Sequence, residues 1–163
     1  MLFSFRRSLI PFVVLPLVVV ALAAGIAVMA WQASSAKVSE SSGAQAVQAA
    51  KDTTVALLSY KADTADKDLN AATERMTGSF RNDYLDLINK VVIPGARQKH
   101  ISASASIAAA APVSSKSDRA VVLLFIDQAT TIGNDPPSNL TSTVKVTMDR
   151  VDDQWLMSEF TPV

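Results

Sequence analysis

RAVVLLFIDQATT, residues 119–131, is the stretch that decides the fold. It holds seven consecutive apolar residues, Ala120–Ile126, between the charged Arg119 and Asp127. Such a run has no polar face, and its length suits a strand rather than a helix. We therefore predict a central strand that is covered on both faces of its sheet.

Two more strands are predicted on the C-terminal side of this stretch. Gly133–Ser142 is predicted as a loop because it contains the breaker Asn134-Asp135-Pro136-Pro137. Val144, Val146 and Met148 then alternate with polar residues, as in a half-buried strand. A tight turn at Asp152-Asp153 leads into the last strand, Trp155–Phe160.

The last strand carries two aromatic candidates for partner contact, Trp155 and Phe160. Side chains alternate between the two faces of a strand, so residues five apart are expected on opposite faces. One ring is then expected in the core and the other at a contact surface, where exposed aromatic residues are enriched.

On the N-terminal side, one more strand and three helices are predicted. The strand is indicated by the alternation of Ile101, Ala103, Ala105, Ile107 and Ala109, and Pro112–Asp118 is predicted as a turn. Before Ile101, the spacing of apolar residues changes to the period of a helix. The helices are predicted over Ala44–Tyr60, from Asp63 or Thr64 to Gly78, and from Ser79 to Pro94-Gly95.

The third helix has the clearest stripe of apolar residues, which we expect on its buried face. Its members are Phe80, Tyr84, Leu87, Ile88 and Val91. Three helices followed by an antiparallel four-stranded meander define an α+β domain with the helices on one face of a curved sheet.

A long uncharged segment, Leu9–Trp31, precedes this domain. About 20 apolar residues span a bilayer core, so residues 9–31 are predicted as a transmembrane helix. The alternative is a signal peptide cleaved near Ser34-Ser35-Ala36, but the apolar run exceeds the roughly 7–15 residues of a signal-peptide core.

The charges that flank this segment predict its orientation. Arg6 and Arg7 precede it, so the N-terminus is expected in the cytoplasm and the C-terminal domain outside it, with a single pass through the plasma membrane. The predicted divisions are 1–8 cytoplasmic, 9–31 transmembrane, 32–43 linker and 44–163 extracytoplasmic domain. Small residues favour close helix packing, so Gly25 and Ala27 are candidate contacts with partner helices.

Composition excludes several classes of chemistry. The chain has no cysteine and one histidine, and its 15 Lys and Arg residues balance 15 Asp and Glu residues. We therefore expect no transition-metal site, no cofactor and no nucleic-acid partner. Asp63, Asp66 and Asp68 are interpreted as a helix cap and first-turn acids.

Only two residues are candidates for catalysis. His100 and Asp127 are each considered as a general base, with the alternative that both are exposed ends of regular elements. The sequence contains no catalytic signature around either residue, so we predict a protein that is not an enzyme.

Four stretches of this chain together resemble the Mce-associated membrane proteins of actinobacteria, which accompany mammalian-cell-entry (Mce) lipid-import systems. They are the apolar segment 9–31, NAATERMTGSFRNDY at 70–84, RAVVLLFIDQATT at 119–131 and DRVDDQWLMSEFTPV at 149–163. The family often has Asp-Gly in the final hairpin, where this chain has Asp152-Asp153.

The resemblance implies a cystatin-like, or nuclear-transport-factor-2-like, cone. It also implies a non-enzymatic accessory subunit that assembles or stabilises an Mce-type lipid or sterol import complex, with Mce proteins and their permease as partners. Two alternatives remain open. One is a lipid-binding module that uses the cone interior, with room left by the small residues of Ile101–Ala111, and the other is a small cone-fold enzyme.

Overall fold

The computed structural model describes residues 42–163. The predicted transmembrane helix 9–31, with Gly25 and Ala27, lies outside the described residues. Within residues 42–163, no helix is both long enough and apolar enough to cross a membrane.

Helical segments come first in the described chain. They are α1 at residues 42–58, α2 at Ala65–Ala72, a 3-10 turn at Thr73–Arg75, α3 at Gly78–Leu87, a π-helical segment at Ile88–Val92 and α4 at Ile93–Lys99. α3, the π segment and α4 follow one another without a break and form one long helix, and the 3-10 turn continues α2. The described segments therefore correspond to the three predicted helices.

The sheet follows the helices. Its strands are β1 at Ile101–Ser115, β2 at Arg119–Ile132, β3 at Ser138–Val151 and β4 at Gln154–Pro162. They pair in the order β1-β2-β3-β4, and each neighbouring pair is antiparallel. The prediction of an α+β domain with helices on a four-stranded antiparallel meander is confirmed.

The predicted helix end at Pro94-Gly95 is wrong, since the chain stays helical to Lys99. A proline inside a helix lacks one N–H donor and clashes with the carbonyl of the preceding turn. Here Pro94 stands in the first turn of α4, directly after the π segment. The wider π turn leaves room for the ring and replaces the usual hydrogen-bond pattern.

The π segment also rotates the buried face of this long helix. Ile88, Ile93 and Ala96 are buried, whereas Val91 is 60% exposed. Because π turns hold more residues than α turns, side chains beyond Ile88 leave the stripe that a regular helix would keep. The predicted burial of Val91 is therefore wrong. Leu87 precedes the π segment but is 50% exposed, so its predicted burial is wrong as well.

The linker prediction of 32–43 overlaps the described helix at its end. Residues 42 and 43 are already helical and buried. A Cβ atom at Gly43 would come within 2.9 Å of the Ser115 Oγ atom. The start of α1 thus lies directly against the end of β1.

Two strands run further than their patterns predicted. β1 continues past Ala109 to Ser115, and β3 begins at Ser138 rather than Val144. The added residues are mostly exposed. Alternation of apolar residues indicates only those parts of a strand that have one face in the core. It therefore does not predict the exposed ends of these strands.

One face of β2 is fully covered and the other is not. Ala120, Val122, Leu124 and Ile126 are at most 1% exposed and form part of the core beneath the helices. On the opposite face the side chains are half-buried or, at Phe125, 40% exposed. The prediction that both faces are covered does not hold within residues 42–163, because the described helices pack on one face only.

β-Bulges change which face several side chains occupy. Register shifts lie between Ile107 and Ala109 and between Pro112 and Ser114 in β1, and opposite Thr147 and Met148 at Ser158 in β4. Each bulge adds one unpaired residue and so reverses the alternation beyond it. Ala109 consequently pairs with Phe125 on the outer face instead of continuing the inner row.

The outer edge of β1 is partly covered by the segment that follows α1. Tyr60 and Ala103 exchange two backbone hydrogen bonds of 2.9 Å, and Ser59 Oγ accepts one from the Ala105 N–H at 3.0 Å. Further along the same edge, Pro112 has no N–H to offer.

Candidate functional site

The aspartates around α2 serve structure. Asp68 accepts a hydrogen bond from the Thr64 hydroxyl at 2.6 Å, and Asp66 lies 2.9 Å from Arg97, which ties α2 to α4. Burial would raise the pKa of Asp66, but hydrogen bonds and the Arg97 charge lower it below its ordinary value. Asp66 and Asp68 lie in the first turn of α2 as predicted, but Thr64 is the N-cap residue and makes no side-chain cap hydrogen bond, so the interpretation of Asp63 as a cap is wrong.

His100 has a backbone role. It adopts left-handed geometry, with φ 52° and ψ 48°, and its N–H donates to the Ala96 carbonyl. Its own carbonyl accepts the Gly133 N–H at 3.0 Å. His100 is exposed and ends α4 in the manner usual for a left-handed cap.

Asp127 is also exposed, and it lies far from His100. Its carboxylate accepts a hydrogen bond from the Thr141 hydroxyl at 2.7 Å across the β2–β3 pair. Asp127 pairs with Ser106, six residues beyond His100, so the two are on the order of 15–20 Å apart along the strand. The structure does not bring them together as a dyad.

The two aromatic residues of β4 lie on the same face, which corrects the expectation of opposite faces. Trp155 is 9% exposed, and Phe160 is half-buried against the core. The bulge at Ser158 between them reverses the alternation. Neither ring projects from the domain as an exposed contact, and Phe160 instead reaches a cavity.

A cavity of about 420 Å³ lies between the helices and the inner face of the sheet. Apolar and aromatic side chains form most of its wall. Its lining residues are Leu57, Leu58, Tyr60, Leu69, Phe80, Tyr84, Leu87, Ile88, Val92, Gln128 and Phe160. None of Ile101–Ala111 lines this cavity, so the small residues of β1 are not what creates it.

Three polar side chains reach the cavity wall. The Tyr84 hydroxyl donates to the Leu57 carbonyl at 2.9 Å in a buried position, and burial raises the pKa of this phenol. Burial raises the pKa of Tyr60 as well. Tyr60 and Gln128 are half-buried, and among residues 42–163 no side chain or backbone group forms a hydrogen bond with the Tyr60 hydroxyl or the Gln128 amide.

A second feature lies on the opposite face of the sheet. We call it the outer apolar strip, and it consists of Ala109, Ala111, Val121, Leu123 and Phe125. Strands β3 and β4 flank it with the polar Thr143, Lys145 and Glu159. Hydrogen bonds from the Thr147 and Thr161 hydroxyls lower the pKa of Glu159, so this border stays charged.

The sequence patterns predict Phe125 in a covered strand and so miss the outer apolar strip. They leave a ligand site in the cone interior open, but they do not identify the residues that line it. The apolarity of Val121, Leu123 and Phe125 was visible in the sequence, but which face the helices cover was not. Within residues 42–163, no three His, Asp or Glu side chains are grouped so that they could hold a metal ion.

The same arrangement of helices over one face of a four-stranded antiparallel sheet occurs in several solved structures. A periplasmic fragment of TraM matches with a TM-score of 0.60 and 10% identity, over 72% of this chain and 94% of that one. An IcmL-like type IV secretion system protein from Legionella pneumophila matches with a TM-score of 0.63 and 8% identity, over 74% and 92%. At such identities the likeness concerns the fold.

Sequence comparison defines the family. The model described as "Uncharacterized protein Rv1363c/MT1408-like" matches residues 7–162, and the chain belongs to this family. "Outer membrane protein Rv1973" of Mycobacterium tuberculosis is 47% identical over 91% of this chain and 93% of its own length. "Uncharacterized protein Rv1362c" of the same species is 44% identical over 72% of this chain and 54% of its own length.

Proposed function

We propose that this protein is a non-enzymatic accessory subunit that assembles or stabilises an Mce-type lipid or sterol import complex in the cell envelope. Residues 9–31 anchor it in the plasma membrane, and its α+β domain lies outside the cytoplasm. Mce proteins and their permease are its partners.

The outer apolar strip is the observation that carries this proposal. It presents Phe125, which is 40% exposed, beside two half-buried aliphatic residues and two exposed alanines, on a face that no described helix covers. A contiguous apolar surface with a polar border is typical of a protein–protein interface. His100 and Asp127 are both exposed and form hydrogen bonds to Gly133 and Thr141, which favours a scaffold over an enzyme.

Comparisons support the broader part of the proposal. The relative from M. tuberculosis carries the name outer membrane protein, which favours an envelope location here. Structures with the same fold include type IV secretion proteins such as VirB8 of Agrobacterium tumefaciens, at TM-score 0.59 and 15% identity. The Mce assignment rests on the resemblance of residues 70–84, 119–131 and 149–163.

Co-purification of the tagged full-length chain from cross-linked membranes tests the proposal. Mce proteins and the permease are expected to co-purify with the wild type. Phe125→Glu should reduce their recovery at least about tenfold, since a charge in a desolvated contact costs more than 1.4 kcal/mol.

Leu140→Glu is the matched control. Leu140 is also an exposed apolar strand residue, at 62%, but it lies outside the outer apolar strip. The amounts of Mce proteins and permease that co-purify with this variant should equal those of the wild type. Absence of Mce proteins from the wild-type complex, or equal recovery with Phe125→Glu, contradicts the proposal.

A further inference from the structure

We propose that the cavity between the helices and the inner face of the sheet binds an uncharged apolar molecule that carries one hydroxyl group. This ligand site is independent of the scaffold role, because it uses the helix-facing side of the sheet and the outer apolar strip uses the other side.

The size and chemistry of the wall define the body of the ligand. A volume of about 420 Å³ falls within the roughly 300–1,000 Å³ typical of small-molecule sites. Leu57, Leu69, Phe80, Ile88 and Phe160 line it with apolar surface. A ligand body of hydrocarbon is the occupant that such a wall stabilises, since polar groups would lose hydration there without replacement.

The polar groups of the wall define the head of the ligand. Tyr84 is already satisfied by the Leu57 carbonyl, which leaves the Tyr60 hydroxyl and the Gln128 amide. Together they offer donors and an acceptor, the combination that suits a hydroxyl group.

The lack of charge in the wall excludes an ionised head. No Lys, Arg, His, Asp or Glu is among the described residues that line the cavity. A carboxylate or phosphate would lose its hydration without gaining a cationic partner, which is costly. An alcohol avoids this cost.

Leu87 marks the entrance. It lines the cavity and is also 50% exposed, so it lies at the boundary between the cavity and solvent. Val91, one turn further along the same helix, is 60% exposed and does not line the cavity. Leu87 and Val91 are therefore similarly exposed to solvent, but only Leu87 contacts the cavity.

Photolabelling of the full-length chain in phosphatidylcholine nanodiscs tests the site. The probe is a long-chain alcohol with a diazirine at the far end of its chain, and labelled peptides are mapped by mass spectrometry. Saturable labelling within residues 57–92 is expected. Labelling confined to residues 9–31 overturns the proposal, because it reports partition into the bilayer alone.

Substitutions at the entrance provide the matched pair. Leu87→Trp should reduce labelling of residues 57–92 about tenfold or more by filling the mouth, which corresponds to at least about 1.4 kcal/mol of lost binding. Residues 57–92 of the Val91→Trp variant should be labelled to the same extent as those of the wild type. Equal labelling of the two variants contradicts the assignment of the cavity.

Tyr60→Phe tests the hydroxyl head and keeps the shape of the wall. Loss of one hydrogen bond should weaken labelling by the alcohol about three- to tenfold. Labelling by the diazirine alkane of equal length should not change. An equal effect on both probes, or no effect on either, overturns the hydroxyl assignment even if Leu87→Trp fails to fold.

Discussion

Asp152 and Asp153 form the two-residue turn between β3 and β4 with φ angles of 48° and 62°. Two positive φ angles match a type I′ turn, whose backbone twist fits the twist of an antiparallel hairpin. Aspartate tolerates left-handed geometry better than most residues, whereas glycine adopts it without steric cost. The turn predicted at these residues is therefore present, at some cost in backbone energy.

We expect Asp153→Gly to stabilise the domain relative to Asp153→Ala by about 1 kcal/mol, because both variants lose the side chain and only glycine relieves the left-handed strain. The lost ion pair with Arg150 is largely exposed, with Asp153 at 92%, and so contributes little. Urea denaturation measures the difference. Equal midpoints for the two variants would contradict the strain argument.

His100 shows the limit of sequence reasoning at this scale. As the only histidine it was weighed as a catalytic base, but its left-handed φ and its hydrogen bonds to Ala96 and Gly133 give it a role in ending a helix. Histidine is among the residues enriched in left-handed geometry. Nothing in the local sequence separates that use from chemistry, because one of the two hydrogen bonds comes from the distant residue Gly133.

The long helix shows how one extra residue in a turn changes the core. A regular helix would place Ile88 and Val91 on one stripe, but the π segment leaves Ile88 1% exposed and Val91 60% exposed. Substitutions to alanine should therefore separate the two positions sharply.

Ile88→Ala is expected to cost about 2–5 kcal/mol of unfolding free energy, because it removes buried volume from the core. Val91→Ala should stay within about 0.5 kcal/mol of the wild type. Chemical denaturation of both variants measures the contrast. A large loss of stability for Val91→Ala would contradict this, because it would mean that Val91 is buried as in a regular α-helix.

Element types could be predicted from periodicity, but insertions into the elements could not. The change from helical period to strand period near Ile101 places the helices before the sheet, as observed. The π segment before Pro94 and the bulge at Ser158 depend on contacts with other elements, so the local sequence does not predict them. That is why Phe160 appears on the inner face, in the cavity.

At the scale of the whole domain, the two faces of the sheet have different roles. The inner face carries the core and the cavity, and the outer face carries the strip around Phe125. The apolarity of Ala120–Ile126 was correct evidence for a central strand. It could not tell whether each face meets helices or a partner, since both require apolar side chains.

Membrane topology is the prediction that concerns the entire chain. The positive-inside rule predicts that Arg6 and Arg7 keep the N-terminus in the cytoplasm, so a reporter fused after Val163 should be active only outside it. Alkaline phosphatase activity measures an external location, and a fluorescent protein that fails to fold outside the cytoplasm serves as the opposite reporter. Activity of the second fusion and not the first would contradict this orientation.

The broken outer edge of β1 has a consequence for solubility. A long edge strand with regular unpaired N–H and C=O groups is a template for another strand, and so for aggregation. Here Tyr60 covers one part of the edge, while Pro112 and two bulges interrupt the regular spacing of the remainder. Growth of the sheet at this edge into an intermolecular ladder is thereby hindered, so we expect a partner to approach the face of the sheet rather than the β1 edge.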